Sequence, residues 1–170
     1  RPAAPAPTLT EVDLAPLPLP VQRYVRATGA VGRPRPRSVR IEFDAVMRRK
    51  VGDPGMAATS IQYNFLDRPA RLFFMTARMY GLPVHALHVY RLEQATFTVR
   101  VASLVNMVDQ HGPEISRAET VTVLNDLCVF APGALVDPRL DWQALDDRTA
   151  AVVFTNGPHE VPATLPFDDQ

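Results

Sequence analysis

The chain has 170 residues, with 18 basic and 18 acidic side chains that cancel to a formal charge of zero. That balance excludes the basic footprint of a nucleic-acid binder and the polybasic patch of a protein drawn to acidic membranes. Cys128 is the only cysteine, which excludes an intrachain disulfide and multi-cysteine metal sites. No apolar run approaches the roughly 18 residues that span a bilayer.

The first 16 residues are rich in Pro and Ala and read as an extended or disordered linker. Such linkers follow signal peptides and membrane anchors, so an exported, membrane-tethered origin through a preceding segment is one expectation. Residues 17–170 then read as one domain. A short helix is expected over 20–28, since Pro20 suits a first turn and Gly29 suits the C′ position. Val21, Tyr24, Val25 and Thr28 form its docking stripe.

Residues 39–47 alternate cleanly, with Val39, Ile41, Phe43, Ala45 and Met47 on one side and Arg40, Glu42 and Asp44 on the other. That pattern is a half-buried strand. A second strand is expected over 58–66 with Ile61, Tyr63 and Phe65 on one face. A third covers 71–79, where Phe73, Met75, Ala77 and Met79 alternate with Leu72, Phe74, Thr76 and Arg78. A hairpin should pair 85–91 with 96–101.

Residues 104–135 carry the one long helical pattern, starting near Pro113 and ended by Pro132-Gly133. Glu114 in the first turn complements the helix dipole. A further hairpin joins 140–145 to 150–155 across Asp146-Asp147. Residues 161–167 make a last strand, which Pro162 and Pro166 confine to an edge or a bulge. The expected fold class is α+β: a curved antiparallel β-sheet, a half-barrel-like meander, with the long helix on its concave face and a short N-terminal helix.

His85 and His88 invite a metal reading, but residues three apart on a strand face opposite ways, so no metal site is expected. Asp109, His111 and Glu114 fall in the approach to the long helix, where acid–base chemistry competes with simple capping, and capping is favoured. Glu119 and Asp126 lie seven apart on one side of a helix that is apolar nearly all round. A helix of that kind is covered on both flanks, so Glu119 should find a structural partner among Arg40, Arg78 and Arg100.

Cys128 aligns with Ala118, Val121 and Leu124 and reads as a small buried hydrophobe. Asn125 sits between Val121 and Cys128 on the same expected face. Burying an amide there costs about 1–3 kcal/mol unless it is hydrogen-bonded. No nucleophile elbow, phosphate loop or dinucleotide fingerprint occurs, and no cofactor is expected.

Four blocks (residues 17–40, 65–84, 104–138 and 154–169) together resemble an uncharacterised bacterial family of actinobacterial type whose members often follow a membrane segment or signal. The resemblance is most specific over 109–132. It implies an extracytoplasmic domain, a sheet similar to the periplasmic lipoprotein-carrier half-barrels, and a further strand beyond Phe167-Asp168-Asp169. A chain truncated at its C-terminal end and an open strand edge at 161–167, with an edge-mediated homodimer, are expectations from that comparison.

Three functional readings remain open. The first is a non-enzymatic, extracytoplasmic module that binds a lipid or another apolar small molecule through Phe43, Met47, Phe73, Met75, Met79, Leu124 and Asn125, because Met-rich surfaces adapt to varied apolar contents. The second is a hydrolase using Asp109, His111 or Glu119. The third is a scaffold that recruits a partner through an exposed strand edge.

Overall fold

Residues 38–111 run as six antiparallel strands of seven to ten residues. The computed structural model describes residues 5–48 and 50–168. The strands are β1 (Ser38–Met47), β2 (Met56–Phe65), β3 (Ala70–Met79), β4 (Leu82–Arg91), β5 (Gln94–Val101) and β6 (Val105–His111), paired in sequence order as one open sheet. Turn chemistry closes the hairpins: Tyr80 and Gly81 have φ of 50° and 83°, and Leu92 and Glu93 have φ of 51° and 59°. Two positive values in a two-residue loop match the right-handed twist of the flanking strands.

The register decides which side chains share a face. Ile41, Gln62, Phe73, His88, Phe97 and Gln110 form one row across the sheet, and Phe43, Ser60, Met75, Ala86, Val99 and Val108 form the next. Ala58, Ala77 and Val84 are buried on this face, with Met56, Met75, Met79, Val99 and Val101 packed against them. The strand expected at 58–66 is present, but its buried side chains are Ala58, Ser60, Gln62 and Asn64, whereas Tyr63 and Phe65 are exposed. The polar side of β2 turns inward because it meets buried charge, described below.

The long helix α3 (Pro113–Phe130) follows β6 through Gly112. Its first turns are fixed to the sheet: the Ser116 hydroxyl accepts a hydrogen bond from the Ala95 N–H at 2.9 Å and donates to the Gly112 carbonyl at 2.7 Å. Two compact units divide the chain, one of Ser38–Glu119 and one of the residues up to 37 and from 120 onward.

In the second unit, α1 (Glu11–Leu14) opens with a capping box in which Asp13 accepts from the Thr10 N–H at 2.8 Å. Helix α2 is Leu19–Ala27, and a 3-10 turn occupies Pro132–Ala134. Strands β7 (Leu140–Ala144), β8 (Thr149–Asn156) and β9 (His159–Pro166) form a three-stranded antiparallel sheet. Val21, Val25, Leu135, Ala150, Val152 and Phe154 are among its buried side chains. The expected linker ends earlier than residue 16. Thr8 bridges to Pro34, and Leu9 and Leu14 are fully buried, because two leucines among the prolines supply enough apolar area to dock the segment. Residues 1–4 of that linker lie outside the described residues.

Candidate functional site

A chain of buried polar side chains crosses the inner face of the six-stranded sheet near its junction with α3. Arg71 Nη1 donates to Glu119 Oε1 at 2.8 Å, and Arg71 Nη2 donates to Gln62 Oε1 at 2.8 Å. Gln62 in turn donates through Nε2 to Asn64 Oδ1 at 2.9 Å. The side chains of Arg71 and Glu119 are 9% and 1% exposed. The guanidinium also lies 5.0 Å from the centre of the Phe73 ring, a favourable cation–π contact. Burying an ion pair this deeply is tolerable only when further hydrogen bonds satisfy both groups, and the Gln62 amide, itself held by Asn64, does this for the arginine.

His88 completes the cluster. Its Nε2 lies 3.1 Å from Glu119 Oε2, yet that buried nitrogen makes no well-formed hydrogen bond, so the approach is close but poorly aligned. Burial, reinforced by the nearby Arg71 charge, pushes the imidazole down to about 4. The ring is therefore neutral at pH 7. The Glu119 charge, which would favour an imidazolium, is already balanced by Arg71. His85, three residues away, lies on the other face against Phe74, with ring centres 5.7 Å apart; the two histidines diverge as their strand spacing requires.

Beyond the polar cluster the same face is apolar. Phe43 and Met47 on β1 are 40% and 43% exposed, Phe73, Met75 and Met79 are half-buried, and the Phe43 and Phe73 ring centres are 6.2 Å apart. Two open depressions of about 490 and 640 Å³ run along β1–β3 and share Asp44, Thr59 and Thr76 in their lining. By strand alternation those three side chains belong to the opposite face from Phe43 and Met75. The Met/Phe face is half-exposed, and the depressions lie chiefly against the opposite face, although Phe43 lines the first and Met56, Ala58 and Ala77 line the second.

The sequence-derived candidates separate accordingly. Phe43, Met47, Phe73, Met75 and Met79 share one face of the six-stranded sheet, whereas Leu124 and Asn125 belong to the part of α3 in the other unit. Leu124 is buried. Asn125 is exposed, which overturns its expected burial. The buried positions of α3 are Ser116, Glu119, Thr120, Val123, Leu124, Asp126 and Leu127, a stripe rotated away from Ala118, Val121 and Asn125. Cys128 is half-buried rather than central to the core, and burial pushes its thiol up to about 11. A thiol held that high is a poor nucleophile.

Asp109 and His111 are exposed on strand β6. His111 is solvated as expected, but Asp109 does not cap α3, because the pairing of Thr98 with Asp109 and Thr96 with His111 extends the sheet to His111. Glu119 has the arginine partner its burial demanded, but that partner is Arg71 rather than Arg40, Arg78 or Arg100. A basic residue inside an otherwise apolar alternation was the one signal in the sequence for Arg71. Among the described residues no group of His, Cys, Asp and Glu is arranged to hold a metal ion, and no helix is long and apolar enough to cross a membrane.

These features define an α+β protein built on open antiparallel sheets, with a buried arginine–glutamate centre and an adjoining apolar sheet face. The chain belongs to a family of unknown function, DUF6544, whose model matches residues 7–170. No curated protein and no solved structure shows significant similarity to it.

Proposed function

We propose that this protein is a non-enzymatic, extracytoplasmic module that binds a lipid or another apolar small molecule on the Met/Phe face of its six-stranded sheet. The observation that carries the reading is the half-exposed row of Phe43, Met47, Met75 and Met79 beside a floor of small side chains, Ala58 and Ala77. Small residues leave room above the sheet, and flexible thioethers adjust to the shape of a chain laid across it. The buried Arg71–Glu119 pair bounds the apolar strip at one end, fixing how far a ligand reaches.

The extracytoplasmic setting rests on the Pro/Ala-rich start of the sequence and on the resemblance to families that follow a signal or anchor. Glu119 is engaged by Arg71, and His88, pushed down to about 4 by burial, is only a weak base, so this centre lends the hydrolase reading little support.

Native mass spectrometry of the protein as purified from cells tests the proposal: a co-purifying apolar molecule of defined mass is expected. A fluorescent fatty-acid analogue should bind the folded protein and be displaced by that molecule. Absence of any adduct, together with no saturable probe binding, rejects the reading.

A further inference from the structure

The two sheets present four edges, and three of them are blunted. β9 carries Pro162 and Pro166, each of which removes a donor. β7 has only five residues, and short edge strands offer little to pair with. β6 is seven residues long, and its ladder slips between Val99 and Arg100, a bulge that turns an edge away. β1 has none of these devices. It runs ten residues from Ser38 to Met47 in unbroken register with β2, and it contains no Pro, Gly or Lys.

We propose that the free edge of β1 pairs antiparallel with β1 of a second copy, about a two-fold axis through Ile41 and perpendicular to the sheet. That axis keeps each face of the sheet on its own side, so Arg40 falls opposite Glu42 of the second copy, Val39 opposite Phe43, and Ser38 opposite Asp44. Arg40 and Glu42 already form an ion pair within one strand, with side chains 53% and 58% exposed. Two copies in this register close an alternating ring of four charges.

Neighbouring symmetric registers are excluded by charge. Centring on Arg40 or Glu42 sets each against itself, and centring on Phe43 sets Glu42 against Asp44; like charges directly opposed across strands are destabilising. On the inner face Ile41 meets Ile41, and the apolar rows of the two copies join into one surface. The proposal stands apart from the ligand reading, since the edge pairs whether or not that surface is occupied.

Seven to nine paired residues bury less than a standard interface, so the dimer is weak and reversible. Sedimentation equilibrium over a concentration series should show it. Arg40→Glu should weaken it by about tenfold or more, because two opposite-charge pairs become like-charge pairs. Adding Glu42→Arg rebuilds the ring in reverse and should restore wild-type association.

On a Cys128→Ser background, Ile41→Cys should give a disulfide-linked dimer under mild oxidation, since directly opposed residues lie within disulfide reach; Val39→Cys should not. Circular dichroism confirms that each variant is folded, and the Ile41 cross-link stands independently of the charge variants. The proposal is overturned by a wild-type protein that stays monomeric at about 1 mM, the weak end of specific association, by a dimer indifferent to Arg40→Glu, or by cross-linking at Val39 in place of Ile41.

Discussion

Arg71 and Glu119 lie 48 residues apart in sequence and meet at 2.8 Å with both side chains buried. The contact joins β3 to the first half of α3, and it turns the polar side of β2 inward to complete the arginine's hydrogen bonds. Removing either partner leaves the other charge buried without its counter-ion. Arg71→Met or Glu119→Leu should each cost about 3–5 kcal/mol, whereas the double substitution should recover much of that loss because two apolar side chains need no partner. Urea unfolding of the three variants checks the cycle.

His88 makes stability depend on pH. Its imidazole titrates at about 4 in the folded protein against 6.5 ordinarily. Below the ordinary value the unfolded chain binds a proton that the folded one refuses, so the stability from neutral His88 is complete above about pH 6.5 and is lost as pH falls towards 4. Unfolding midpoints measured across that window should fall more steeply for wild type than for His88→Gln.

Met75 lies in the row with Phe43, Ser60 and Ala86 and packs beside Ala58, Ala77 and Val84. Met75→Arg should abolish binding of an environment-sensitive apolar dye while leaving the far-ultraviolet circular dichroism spectrum unchanged. The half-buried position lets a long cationic side chain keep its head in water. Retained dye binding in the variant would place the apolar site elsewhere.

Asn125 and Leu124 are adjacent on α3, one exposed and the other 1% exposed. Asn125→Leu should change stability by no more than about 0.5 kcal/mol. Leu124→Ala should cost about 2–5 kcal/mol through the cavity it leaves. Thermal or chemical unfolding of the pair distinguishes this helix phase from one rotated towards Asn125.

The Tyr24 hydroxyl donates to the Cys128 carbonyl at 2.6 Å, and its ring lies 5.8 Å from that of Phe167. Tyr24→Phe keeps the ring contact and removes only the donor, so it should cost about 0.5–1.5 kcal/mol. Unfolding by urea, with Tyr24→Ala as the larger loss, separates the two contributions.

Sequence alone determined the strands with clean two-residue alternation, the hairpin of 85–91 with 96–101, the helix between Pro113 and Pro132, the edge position of the last strand and the divergence of His85 from His88. Each follows from local periodicity or from the backbone limits of Pro and Gly, which act within a few residues. Only the tertiary structure decided the phase of α3, because that helix is apolar on nearly every side and buries Glu119, Thr120 and Asp126 beside its leucines. With polar side chains on the covered stripe and Val121 and Val129 outside it, hydrophobicity carries no direction. The choice of Arg71 over Arg40, Arg78 or Arg100 was likewise beyond local reasoning. A buried carboxylate demands a cation, but which strand supplies it depends on pairing registers set by six strands together.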